Sequence, residues 1–278
     1  LQLKQKEIGE QIPHEKYQLE KQRVKMHLAD NNVFGVDLNP IAVELAEVSL
    51  WLNTIHEHAI VPWFGMQLTT GNSLIGARRQ VFAADLLSKK NGSSKLWLDE
   101  VPSRVEPGEK RPDNTVYHFL LPDLGMANYK DKIIKKLAEE ELKTINDWRK
   151  DFAVPFSKAE IELLERLSRK TDRLWEEHTS QLRSIRAQTS DPIHIFGQPV
   201  PEGLGKYSSL EEKDRHFEQF ILSENVRNSS SFRRLKLVMD YWCALWFWPI
   251  EKAELLPSRE EYLLELSLIL EGNVFDAS

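Results

Sequence analysis

Residues 33–37, Val-Phe-Gly-Val-Asp, constrain this chain more than any other stretch. The run is short, apolar and closed by an acid, and the turn-forming pair Asn31-Asn32 precedes it. Such a run fits a strand buried on both faces of a parallel sheet. Pro40 stands where a first helical turn tolerates proline, because that turn has no use for the missing amide donor. From residue 41 to 52 apolar residues fall on most sides of the predicted helix, as in a helix packed on a sheet. Residues 66–70 read as a second strand, closed by Gly71-Asn72-Ser73. Residues 33–73 are therefore expected to form one β-α-β unit.

The rest of the chain is expected to be mostly helical. Residues 1–31 are rich in Lys, Gln and Glu, with one helix predicted from about 14 to 29. Residues 77–129 read as an irregular linker region, with Asn91-Gly92-Ser93-Ser94 and the prolines 102, 107, 112 and 122. Within it, residues 117–121 read as a strand or a buried extended segment. Residues 130–189 predict two helices in an antiparallel hairpin, broken at Val154-Pro155-Phe156. Ser157 and Glu160 have the spacing of a capping box, as do Ser258 and Glu261. Glu139-Glu140-Glu141 and the Arg and Lys residues along these helices read as a solvated face. Residues 190–210 read as loop, and 211–223, 231–248 and 258–271 as helices.

Composition narrows the function classes. Of 278 residues, 43 are acidic and 37 basic, a formal charge of −6. A protein that coats phosphate backbones with positive charge is excluded, so any DNA contact rests on a local patch. Cys243 is the only cysteine, which excludes an intramolecular disulfide framework and a cysteine-rich zinc site. It fits a reducing compartment. No run of about 18 apolar residues offers a membrane span. The polar first twenty residues do not read as a signal peptide. The chain opens on Leu1 inside a charged helical pattern and closes on Asp276-Ala277-Ser278, and is expected to be a piece of a longer polypeptide.

Several clusters have two readings. Tyr241, Trp242, Trp246, Phe247 and Trp248 suggest a base-stacking platform, but their helical spacing beside Leu235, Val238 and Leu245 favours core packing. Arg227, Arg233, Arg234 and Lys236 beside residues 228–231 form a basic cluster that suits phosphates or, equally, a solvated helix end. Arg78-Arg79 and Lys89-Lys90 are weaker versions of it. His56 and His58 lack a third ligand, so no metal is expected. Cys243 reads as a small core residue. No Ser/His/Asp or Cys/His set stands out.

The chemistry is expected at the two strand ends. A carboxylate closing a parallel strand, here Asp37, accepts hydrogen bonds from both hydroxyls of a ribose. The plain alternative is a cap on the proline-started helix. Asn72, just past the second strand, can read an adenine edge with its amide, or merely shape a turn. Together the two would grip an adenosine moiety.

On these residues the sequence resembles a family. VFGVDLNPIAVELAEVSLWL followed by GNSLIG is similar to the cofactor half of bacterial DNA adenine-N6 methyltransferases, those of restriction-modification and phage-defence systems with long helical insertions. HFLLPDLGMANY and DYWCALWFWPI also resemble stretches between that half and the family's catalytic motif. The resemblance implies S-adenosylmethionine as cofactor. Asp37 would hold the ribose, Leu38 pack on the adenine, and Asn72 with Ser73 contact its edge. It implies DNA, the rest of the methyltransferase chain and restriction or defence subunits as partners, and a bacterial cytoplasmic location.

The residue patterns, with this resemblance, give an α/β but mainly α fold: a partial Rossmann-like unit over 1–76, the linker region 77–129, and a helical insertion over 130–278. Departures are equally informative. No glycine-rich loop precedes residue 31, and no Pro-Pro-aromatic motif follows, so no catalytic residue is assigned. Asn39-Pro40-Ile41-Ala42 lacks the second proline and the aromatic that would stack on a flipped base. These residues alone are expected neither to methylate nor to bind cofactor well. A nucleotide-dependent oxidoreductase fragment is an alternative, though no Gly-x-Gly-x-x-Gly precedes the strand. A non-enzymatic helical interaction module is another.

Overall fold

A computed structural model describes residues 1–57, 61–88, 96–191, 193–198, 208–226 and 230–272. Along the chain its helices and strands are α1 (Gln2–Ile8), α2 (His14–Asn32), β1 (Gly35–Asp37), α3 (Pro40–Thr54), β2 (Leu68–Thr70), β3 (Gln80–Ala83), β4 (Ser103–Arg104), β5 (Thr115–Tyr117), α4 (Lys132–Leu137), α5 (Glu139–Phe152), α6 (Lys158–Thr189), α7 (Leu210–Val226), α8 (Ser231–Ala244) and α9 (Arg259–Glu271). The fold is mainly helical, with two small sheets. Two compact units emerge, one of Leu1–Leu74 with Gln181–Ser223, the other of Ile75–Ser180 with Glu224–Ser278. This division does not follow the expected split into 1–76, 77–129 and 130–278, because segments distant in sequence share a core.

In the first unit β1 and β2 are parallel neighbours with α3 between them in sequence. Gly35 lies opposite Leu68, and Asp37 opposite Thr70. A β-carbon on Gly35 would come within 2.9 Å of Leu68 Cδ2, so a larger residue there would require the Leu68 side chain to shift. The entry to β1 is set by the end of α2. That helix has no glycine cap; Val33 leaves it in an extended conformation. Its last carbonyls are satisfied by side chains instead. Gln67 donates to the Asp30 and Ala29 carbonyls, and Arg186 donates to the Asp30 carbonyl. A cation there also suits the negative end of the helix dipole. Arg186 is 3.1 Å from Asn31 Oδ1 and 3.4 Å from the Asp30 carboxylate. Nearby Lys213 of α7 forms a buried ion pair with Asp191. Burial pushes the Asp30 carboxyl up, against the pull of Arg186.

The second unit is built around an antiparallel sheet ordered β4-β3-β5. Residues 77–129, expected to be irregular, supply much of its core: Leu87, Trp97, Val116, Tyr117, Phe119, Leu120 and Met126 are buried. They pack with Leu164, Leu167 and Leu174 of α6, Val238 of α8 and Leu266 of α9. Residues 117–121, read as strand or extended, end β5 and then turn through a short 3-10 helix, His118–Leu120. Arg111 and the Tyr117 hydroxyl both reach Asp172 on α6, at 2.9 and 2.8 Å.

The break near Pro155 and both capping boxes appear as expected. Ser157 with Glu160 opens α6, and Ser258 with Glu261 opens α9. The expected hairpin does not form. The apolar stripe of α5 packs on the 3-10 segment Ile250–Leu255 rather than along α6, with Leu142 and Ile145 against Ala253.

Candidate functional site

The expected site residues come together in the first unit. Asp37 ends β1; the backbone amide of Gly71, first after β2, donates to the Asp37 carbonyl at 2.8 Å. Asn72 and Ser73 follow at once. Asp37, Leu38, Asn72 and Ser73 therefore share the carboxyl end of two adjacent parallel strands, and all four are exposed. Gly71 sits close over the sheet: a β-carbon on it would lie 3.3 Å from Val36 Cγ1.

The local hydrogen bonds decide which atoms remain for a ligand. Asp37 Oδ1 accepts from the Asn39 amide at 2.8 Å, and Asn39 Oδ1 accepts from the Ile41 amide at 3.0 Å. Asn39, not Asp37, is thus the cap of α3. Asp37 Oδ2 has no partner among the described residues. Asn72 Oδ1 accepts from the Leu74 amide at 2.9 Å, which is the turn-forming role weighed from the sequence. Its amide nitrogen makes no hydrogen bond among the described residues. Leu38 is 73% exposed. A free carboxylate oxygen, an amide donor and an apolar side chain thus stand together at the end of the sheet. Open parallel sheets hold their ligands at that end.

The basic cluster is placed differently. Arg227 lies outside the described residues, as do His58 and Lys89-Lys90. Arg233 is exposed near the start of α8. Arg234 donates to the Leu270 carbonyl at 3.1 Å, and burial lowers its pKa. Lys236 pairs with Asp240 along the helix. The tryptophans follow the core reading: Trp242, Trp246 and Trp248 pack against the hydrophobic core. Trp242 donates to the Leu121 carbonyl at 3.0 Å, while Phe247 is exposed. Burial, then Asp240, pushes the Cys243 thiol up, away from nucleophile chemistry. Among the described residues no group of three or more His, Cys, Asp or Glu could hold a metal ion. No helix among them is long and apolar enough to cross a membrane.

Arg166, Arg169, Lys170 and Arg173, which sequence alone places on a solvated face, line a hollow in the second unit. Their spacing of three and four residues was the available signal. Searches against protein-family models, curated proteins and solved structures find no match for this chain.

Proposed function

We propose that residues 33–76 are the cofactor-binding unit of a Rossmann-like, S-adenosylmethionine-dependent DNA adenine-N6 methyltransferase. It would serve a bacterial restriction-modification or phage-defence system. The observation that carries this reading is the placement of Asp37 and Asn72 at neighbouring ends of β1 and β2, each with uncommitted polar atoms.

The donor set fits the cofactor. Asp37 would accept from the ribose hydroxyls, with Oδ2 wholly free and Oδ1 shared with Asn39. Leu38 would lie on the adenine face. The Asn72 amide nitrogen would donate to a ring nitrogen, and its oxygen keeps one lone pair for the exocyclic amine. Ser73 stands beside them. Bound S-adenosylmethionine would supply the activated methyl group; the residues here supply the grip, and none is assigned to catalysis.

A second observation supports the reading. Parallel sheets are normally covered on both faces. Here Phe34 and Val36 on the β1 segment are exposed, and so are Ile41, Leu45, Val48 and Leu52 along one stripe of α3. That is the surface which further strands and helices of a larger parallel sheet would cover. The helical part of the chain would link or cover the catalytic domain.

The test is transfer of labelled methyl from S-adenosylmethionine to DNA by the full-length protein. Label on adenine N6, lost in Asp37→Ala, is the expected result. No transfer by the wild-type protein would move the assignment to a helical interaction module.

A further inference from the structure

The middle of α6 carries Arg166, Arg169, Lys170 and Arg173, spaced so that all four share one face. With Leu167 and Glu271 they line a hollow of about 160 Å³, room for a phosphate group. Arg166 approaches Glu271 at 3.4 Å. Arg169, Lys170 and Arg173 have no ion-pair partner among the described residues.

Acids are frequent on this helix, but several are engaged elsewhere. Glu162 faces Lys158 at 3.8 Å, Asp172 is held by Arg111 at 2.9 Å, and Glu177 accepts from the Ser231 hydroxyl. Glu165 and Glu176 bracket the stretch. Four cations therefore meet one carboxylate in the hollow, and a bound anion would relieve their mutual repulsion.

We propose that this face of α6 binds the phosphodiester backbone of duplex DNA. Two features favour nucleic acid over an acidic polypeptide. Three of the four cations are arginines, whose planar forks match phosphate oxygens two at a time. From Arg166 to Arg173 the helix rises about 10 Å. Over that length one DNA strand presents about three phosphates, at ~3.4 Å each. The patch needs nothing from Asp37 or Asn72, and binding rather than methyl transfer is its readout.

The experiment is fluorescence anisotropy of a labelled duplex with the full-length protein over a salt series. Each phosphate neutralised adds about 0.9 to the steepness of log affinity against log salt. Arg169→Gln/Arg173→Gln is expected to flatten the slope by about 2 and to weaken binding at least about tenfold at low salt. Lys170→Gln, a milder change, flattens it by about 1. Glu271→Gln releases Arg166 and is expected to tighten binding, a sign that general damage would not produce. Circular dichroism melting checks that each variant folds. An unchanged slope in the charge-removing variants, no tightening in Glu271→Gln, or displacement of the duplex by polyglutamate at equal charge overturns the proposal.

Discussion

Lys213→Met probes the pair that ties α7 to the segment after α6. The side chains of Lys213 and Asp191 are each 2% exposed. Methionine keeps most of the apolar stem and removes the charge. Asp191 is then buried without a counter-charge, and Asp30, whose carboxyl Lys213 also stabilises, loses support as well. Breaking a buried pair from one side costs about 3–5 kcal/mol. At about 1.4 kcal/mol per decade, that is two to three and a half decades in the local opening equilibrium. Hydrogen exchange read by mass spectrometry over residues 208–220 reports it directly, without assuming that both units unfold together. Lys213→Met/Asp191→Leu removes both charges and is expected to return to within about 1 kcal/mol of wild type. A single variant that exchanges like wild type, or a double variant as labile as the single, would refute the reasoning.

Further outcomes follow from the second unit. Burial, then its hydrogen bond to Asp172, pushes the Tyr117 hydroxyl up to about 12. The neutral form is favoured in the folded state, so its stabilising contribution is whole below about pH 10 and lost as pH rises through about 12. Tyr117→Phe should remove part of the fall in denaturant midpoint across that window. Arg259 donates to the carbonyls of Phe152 and Val154 and lies 4.1 Å over the Phe156 ring, so Arg259→Ala should cost about 3 kcal/mol in urea unfolding, with little rescue by lysine. Ser258→Ala removes the α9 cap and should cost about 1 kcal/mol in the same assay.

The β-α-β unit was legible because its signals are local: an apolar run closed by Asp37, then Pro40, then Gly71. Both capping boxes were legible for the same reason, a serine and a glutamate three residues apart. The antiparallel sheet was not. Its strands are two to four residues long, and β5 is buried at all three positions, so no alternation shows. The partner of α5 was also hidden, since periodicity gives the apolar face of a helix but not what meets it. The division into units depends on contacts such as that of Arg186 with Asp30, 156 residues apart, which no local pattern reports. The cations of α6 read as solvated in sequence because acids stand among and beside them: Glu165, Asp172 and Glu176. That Asp172 is taken by Arg111, 61 residues away, is visible only in three dimensions.

The adenosine grip is tested most directly by calorimetry on the full-length protein, with S-adenosylmethionine and NAD titrated separately into wild type, Asp37→Ala and Asn72→Ala. S-adenosylmethionine is predicted to bind and NAD not to. Loss of two charge-assisted hydrogen bonds, about 1.5–3 kcal/mol each, should weaken Asp37→Ala at least about a hundredfold. Loss of one neutral donor and one neutral acceptor, about 0.5–1.5 kcal/mol each, should weaken Asn72→Ala about tenfold. Equal affinity in Asp37→Ala, or a preference for NAD, would contradict the account.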